Sequence, residues 1–435
     1  MGRTDADLGG VEVAIRAAMT QIGASLLEQL LGADGGYRGP RIDCRGGHRA
    51  RFVGYRDKTI TTVLGAVEVR RGYYHCADCG HGVVPRDDEL GVSGVSLSPG
   101  LRKITAVAAA AAPFAAASVL LAELAGIRLG TKRIERSAET DGAAAADRQA
   151  VESAAICRRA VQVLAPSTER PAPDKLYIAI DGTGVPMTAA AVAGRTGKAA
   201  DGRAHTREVK LAAVFTQTTI DDEGRPLRDP DSTSYVASFA TSGDFAPLAA
   251  AEATRRGAEQ TRQLVVLGDG AAWIWNLATA TWPEATPIVD LYHAREHLHA
   301  LADQLADTLG ADRSHWLEQR LADLDDGDIE TLVTATQTLL PTLDPALAAT
   351  TDKALGYFIT NAQRMRYGYF RDHGFFVGSG VVEAGCKSII GARLKQSGMR
   401  WNITGATGII TLRCHQASNR LDNIWTHPHN QTATA

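Results

Sequence analysis

The chain has 435 residues, with 46 Lys and Arg against 49 Asp and Glu and a formal net charge of −3. Hydrophobic residues make up 45 % and charged residues 22 %, which excludes a disordered chain, a collagen and a disulfide miniprotein. The near-balance also excludes a uniformly basic surface, so a nucleic-acid partner requires basic residues gathered locally. At roughly 150 residues per domain, the length predicts two to four domains.

Within residues 1–40, Val11, Ile15, Met19, Ile22, Leu26 and Leu30 recur at helical spacing, and Gly32 is a stop signal. An N-terminal helix that packs on a neighbour is predicted. Residues 1–7 lack the apolar core of a signal peptide, so a cytoplasmic protein is expected.

Residues 41–97 turn to β texture. Residues 59–64 and 67–71 flank a turn expected at Gly65-Ala66, which predicts a hairpin. It leads into Cys76-Ala77-Asp78-Cys79-Gly80, half of a zinc-knuckle site. Cys44 is the natural third ligand, and His48 lies four residues on. His75 or His81 can substitute for His48, and a hairpin with two unused thiols is the alternative to zinc. Cys157, Cys386 and Cys414 read as packing residues.

Residues 98–165 return to helix. Residues 104–122 carry no charge, but alanine dominates and Pro113 interrupts them, so a buried helical segment is expected and no membrane span. Residues 119–125 form a short helix, 126–129 a turn, and a second helix opens near Gly130 with Thr131 as its N-cap. That second helix carries Lys132, Arg133 and Arg136. The pattern is helix-turn-helix-like, with basic residues offered to a DNA groove. An ordinary helical hairpin with a solvated basic face is the alternative. The proline-rich run 164–174 marks a domain boundary.

Residues 175–299 alternate. Strands are expected at 175–180, 210–219 and 234–240, then a helix at 244–257, a strand at 263–267 and a short helix through Trp275. A strand at 286–289 and a long helix from Tyr292 follow. Segment 190–206 reads as a mobile loop. Residues 300–367 form a helical module with a core tryptophan, Trp316, and 368–425 complete the fold.

Three carboxylates carry the chemistry. Asp181 ends the first strand, Asp269 ends the fourth, and Glu383 lies in the glycine-flanked stretch 378–387. Carboxylates at the ends of neighbouring strands converge at one sheet edge, and a third on a crossing helix completes a cage of hard oxygens. Such a cage suits two Mg²⁺ or Mn²⁺ ions, about 3.5–4 Å apart in phosphodiester chemistry. One Asp-Gly pair is an ordinary turn signal, but three carboxylates in this strand order point to a site.

Those residues stand in strings that resemble a family. They are Tyr177-Ile178-Ala179-Ile180-Asp181-Gly182-Thr183-Gly184, Leu267-Gly268-Asp269-Gly270-Ala271-Ala272-Trp273, Ile288-Val289-Asp290-Leu291-Tyr292-His293 and Gly380-Val381-Val382-Glu383. Gly398-Met399-Arg400-Trp401-Asn402 and Tyr73-Tyr74-His75-Cys76 also fit. In this order they resemble bacterial insertion-sequence transposases of the Kra group, distantly Mutator-like. The resemblance implies an α/β multidomain protein with an RNase H-like mixed-sheet core. A helical insertion interrupts the core at 300–367, and a zinc-knuckle-like β module and a helix-turn-helix-like module precede it. It implies that Asp181, Asp269 and Glu383 hold catalytic Mg²⁺ and that Asp290, His293 and His297 support them. DNA, as terminal inverted repeats and target, would be the partner, and a homo-oligomer the acting form. A non-catalytic DNA-binding regulator and a nuclease without strand transfer are the alternatives.

Charge supports DNA contact locally. Residues 364–400 hold seven Lys and Arg against Asp372 and Glu383, seven minus two, a net of +5. Lys387, Arg393, Lys395 and Arg400 are expected to meet phosphates near Glu383.

Overall fold

A computed structural model of the α/β protein describes residues 7–160, 173–197 and 202–425. Contacts divide the chain into two compact units, Met1–Asp141 with Asp422–Ala435, and Gly142–Leu421. The division falls inside a helix, whereas most of the proline-rich run 164–174 lies outside the described residues.

The first unit opens with α1 (Leu8–Gly32). An antiparallel sheet follows, ordered β1 (Arg41–Asp43), β2 (Arg49–Thr62), β3 (Gly65–His75) and β4 (Gly82–Val83). The hairpin turn sits at Val63-Leu64, not at Gly65-Ala66, because Thr62 already pairs with Gly65. The Thr62 hydroxyl explains the shift: it donates to the Gly65 carbonyl at 2.8 Å and accepts from the Leu64 amide at 3.1 Å. Gly65 takes φ +117°, open to glycine alone at little strain.

α1 packs on this ribbon, but not through the predicted stripe. Ala24, Leu27 and Leu31 meet Ile60, Val67, Val69 and Val92. Val11, Ile15, Met19, Ile22, Leu26 and Leu30 face away and are exposed. Beyond β4, α2 (Pro85–Glu89) brings Asp87 into a buried ionic cluster. Arg71 bonds both its carboxylate oxygens, at 2.8 and 2.7 Å, and Lys58 adds a third contact at 3.0 Å.

Pro113 splits 104–122 into α3 (Pro99–Ala111) and α4 (Phe114–Ala125). No described helix is long and apolar enough to cross a membrane. α5 (Thr131–Ala160) follows the turn, as the helix-turn-helix pattern predicts. Its first turn closes on the Gly130 carbonyl, which accepts from the Ile134 amide at 3.1 Å, so the cap is Gly130 and not Thr131. Arg102 of α3 holds Asp141 of α5 through its Nε at 3.0 Å.

The second unit is built on β5 (Lys175–Pro186), β6 (Thr206–Gln217), β9 (Ser234–Ser238), β10 (Gln263–Gly268) and β11 (Thr286–Val289). β7 (Thr219–Ile220) and β8 (Pro226–Leu227) form a separate small hairpin. The five-stranded order is β11-β10-β5-β6-β9. β10 runs parallel to β5 and β11, while β6 is antiparallel to β5 and β9.

β5 does not end at Ile180. It pairs with β6 from Lys175 through Pro186, but with β10 only from Lys175 through Ala179. Asp181 therefore lies inside a strand, just past the point where one neighbour stops. In segment 190–206 the described residues hold a 3-10 turn, Ala189–Val192, and a bridge between Thr196 and Arg203. Residues 198–201 lie outside the described residues.

α6 (Ser242–Arg255), α7 (Ala272–Thr281) and α8 (Leu291–Gln304) alternate with the last strands as predicted. The helical module holds α9 (Ala306–Leu309), α10 (Arg313–Asp326), α11 (Ile329–Gln337) and α12 (Pro345–Asn361), with Trp316 buried in it. After α13 (Tyr367–Asp372), α14 (Gly380–Gly385) runs into a π-helical turn, Cys386–Gly391, then α15 (Ala392–Leu394) and α16 (Ile403–Ala417). Cys386 and Cys414 are both buried, and Cys414 packs in the core as expected.

α5 and α16 touch backbone to backbone. A Cβ added at Gly142 would lie 2.2 Å from the Gly408 carbonyl oxygen. Gly142→Ala is therefore expected to destabilise the second unit by about 1–3 kcal/mol, despite alanine's better helix propensity. Urea unfolding followed by tryptophan fluorescence measures it, and an unchanged midpoint would remove the close-contact account.

Candidate functional site

The strand ends and the helix after β11 gather titratable groups in the second unit. Asp290 is the N-cap of α8, its Oδ1 accepting from the His293 amide at 2.8 Å. Its Oδ2 accepts from the Ser379 amide, which ties α8 to the segment before α14. Ser379 Oγ lies 3.3 Å from Glu383 Oε1 as a donor. One ligand atom each from Asp290, His293 and Glu383 fall within 4.8 Å of one another. Among the described residues, Asp181, Asp269 and Glu383 do not form a set that close.

Asp181 and Asp269 are nonetheless electrostatic neighbours of this cluster. Burial lifts the Asp181 carboxyl above its ordinary range, and the charge of Asp269 adds to it, against hydrogen bonds from Cys386 and the Gly182 amide. Two neighbouring carboxylates of hard oxygens are a donor set that fits a divalent cation. Asp290 behaves oppositely: burial raises it, but hydrogen bonds from His293 and Ser379 outweigh that and hold it low. The Asp290 contact, against the opposing effect of burial, lifts His293 to about 9. His293 must lose that proton before its ring nitrogen can ligate a cation.

His297 stacks on Tyr357 at 3.8 Å between ring centroids, and burial pushes its pKa down. The Tyr357 hydroxyl donates to the Asp269 carbonyl at 3.2 Å. Sequence reasoning missed Ser379, Tyr357 and Cys386 as neighbours of the carboxylates. Ser379 had a local signal, the Gly378-Ser379-Gly380 run just before Glu383. Tyr357 had none, because it arrives from the helical module.

A second cluster lies in the first unit. Ligand atoms of Cys44, His48, Cys76 and Cys79 all fall within 4.8 Å of one another. Two tight loops present them: the Cys44 amide donates to the His48 carbonyl at 2.8 Å, and the Cys76 amide to the His81 carbonyl at 3.0 Å. Cys44 Sγ and Cys79 Sγ are 3.7 Å apart. A tetrahedron with Zn–S bonds of about 2.3 Å has an edge of about 3.8 Å, so the thiols fit zinc. Burial raises the Cys44 pKa, yet hydrogen bonds from the Gly46 and His48 amides and the Cys76 and Cys79 thiols bring it to about 7.

The basic residues divide. Arg393 is fully buried, its guanidinium 5.1 Å from the Trp401 ring centre and 3.7 Å from Met399 Sδ. It serves packing and not phosphate, which corrects the expectation. Arg364 stacks on Trp275, Arg366 pairs with Glu330, and Arg371 donates to the Asp325 carbonyl. Lys387, Lys395 and Arg400 remain exposed. Lys387 lies 3.6 Å from Glu383, and Lys395 bonds Thr183 on β5. On α5, Arg133 donates to Thr61 and Ser96 at 3.0 Å each, and Lys132 pairs with Glu135, while Arg136 is exposed. Arg133 is thus held by the hairpin ribbon of its own unit.

No protein-family model and no curated protein matches the chain. Among solved structures, it is similar to the Drosophila P element transposase strand transfer complex at 9 % identity, over 62 % of this chain and 69 % of that chain, with a TM-score of 0.20.

The four-ligand cluster generates a stoichiometry. The purified chain is expected to hold one zinc, and Cys76→Ser or Cys79→Ser to weaken its retention at least about 100-fold and lower the unfolding temperature. Metal analysis by mass spectrometry checks this, and a wild-type chain at trace zinc after loading would refute it.

Proposed function

We propose that the chain is a DNA transposase that cleaves phosphodiesters at the ends of its element and joins the freed ends to target DNA. The observation that carries this reading is the meeting of β5 and β10. Asp181 lies on β5, Asp269 directly follows β10, and α14, which packs on β5, bears Glu383. The five-stranded sheet takes three strands before α6, one between α6 and α7 and one after α7, an order compatible with this reading.

Asp181, Asp269 and Glu383 are the proposed holders of Mg²⁺ or Mn²⁺, with Asp290 and His293 closing the set around Glu383. A divalent cation held by these residues would supply Lewis acidity for water activation and for charge neutralisation at the scissile phosphate. Ser379 orients two carboxylates at once, Asp290 through its amide and Glu383 through its hydroxyl. Lys387 and Lys395 flank Glu383 and β5 and are suited to receive phosphates. Arg400 and Arg136 are further exposed candidates. Terminal repeats would be bound by the zinc-knuckle and helix-turn-helix-like modules of the first unit.

The test is a labelled duplex carrying the element's terminal repeats, incubated with a target and Mn²⁺. Asp181→Ala and Glu383→Ala are expected to lower cleavage at least about 1,000-fold while the duplex is still bound. Either variant cutting at the normal rate would overturn the proposal. Ends that are cut yet never joined to target would reduce it to a nuclease. Replacing Lys387 and Lys395 together by Ala is expected to flatten the salt dependence of DNA binding by about two phosphate contacts.

A further inference from the structure

A cavity of about 120 Å³ lies between α7 and the strands β10 and β11, with Val266, Trp275, Ala278, Trp282, Pro287 and Arg364 in its wall. Val266 and Pro287 are register partners on the two strands. Asp269 and Asp290 come three residues beyond them in the chain, roughly 10 Å away at 3.3 Å per residue. None of the proposed metal-holding residues lines the cavity. Arg364 enters from the 3-10 turn Ala362–Arg364 and is the one charged residue of the wall. Thr279, also in the wall, is exposed, so the cavity opens to solvent.

Two donors in this wall lack acceptors. Trp275 is 5 % exposed and its indole N–H has no partner among the described residues, whereas a buried indole normally finds one. Among the same residues the Arg364 guanidinium donates through Nη1 alone, to the Thr360 carbonyl at 3.3 Å and to Asn361 Oδ1 at 3.0 Å. It also stacks on Trp275, 4.9 Å from the ring centre. These partners are all neutral. Arg366, two residues on, has Glu330 beside it, but Arg364 has no carboxylate. Burial disfavours its charge, and no acid compensates. Water does not supply what is missing, since it carries no charge and the valine, proline and alanine walls offer it no hydrogen bonds.

We propose that this cavity binds a small monocarboxylate with a compact, planar apolar body, of the aromatic-acid class. The carboxylate takes the unused Nε–Nη2 edge of Arg364, a bidentate fit. The ring lies among Trp282, Val266 and Pro287, where an apolar face meets apolar walls. One uncompensated cation calls for one negative charge, which disfavours phosphate dianions and nucleotides. An apolar cavity of about 150 Å³ admits benzene. This somewhat smaller, open one therefore holds a single ring and not a base with its sugar. The site does not rest on the catalytic reading and stands if that reading fails.

Titration of the full chain with benzoate at fixed ionic strength, read by tryptophan fluorescence, tests it. Saturable binding is expected at a Kd of about 1 mM or tighter, with a rise in the unfolding temperature. Arg364→Gln is expected to weaken benzoate at least about 10-fold. Benzyl alcohol keeps the ring and loses the charge, and is expected to bind the wild-type chain at least about 10-fold more weakly than benzoate. Ala278→Leu fills the cavity while leaving Arg364 in place, and is expected to abolish binding. Circular dichroism and the urea midpoint check that both variants fold. Quenching that never saturates, an Arg364→Gln or a folded Ala278→Leu chain that binds benzoate as the wild type does, or equal affinity for benzyl alcohol would each overturn the proposal.

Discussion

The second unit depends on the unequal pairing of β5. Its parallel neighbour β10 leaves it after Ala179, while its antiparallel neighbour β6 follows it to Pro186. A sheet strand with one side unpaired opens a gap beside its own backbone, and Asp181 is the second residue past that point. Asp269 follows β10 at the same level, and Asp290 follows β11. The sheet therefore brings carboxylates together by ending its parallel strands early, without any loop having to reach inward. Burial then acts on what has been assembled, raising Asp181 and leaving Asp290 and His293 bound to each other.

How much of this was legible in the chain differs from residue to residue. Strand and helix order from Lys175 to His293 was readable because each main strand is a short run rich in apolar residues, and β10 and β11 end directly at Asp269 and Asp290. The Cys76-Cys79 pair and the ligands Cys44 and His48 were readable because ligand spacing is local chemistry. The end of β5 was not, since strand length depends on how far β6 continues, which no residue of β5 encodes. Burial of Arg393 was not, because its surroundings, Trp401 and Met399, arrive from a loop several residues later. The stripe on α1 had the right helical period, but period alone does not say which face meets the sheet. Three small or aliphatic residues, Ala24, Leu27 and Leu31, took that place.

Charge tells the same story on a larger scale. The net of +5 over residues 364–400 is real in the chain, yet four of its guanidinium groups already have partners within the protein, Trp275, Glu330, the Asp325 carbonyl and Trp401. Arginine is well suited to such buried and stacked positions, whereas lysine stays hydrated. The outward positive charge near Glu383 includes lysine, at 387 and 395, with Arg400 also exposed.

The π-helical turn Cys386–Gly391 sets a rule about length. It holds one residue more than an α-helical turn would over the same path. Removing one residue there would leave an ordinary α-helical turn on the same path, whereas adding one would rotate everything after it by about 100°. Arg393 would then swing off the Trp401 ring, and the Leu394 carbonyl would leave the Trp401 indole N–H, which donates to it at 3.1 Å. The turn therefore tolerates a shorter chain at this point and not a longer one.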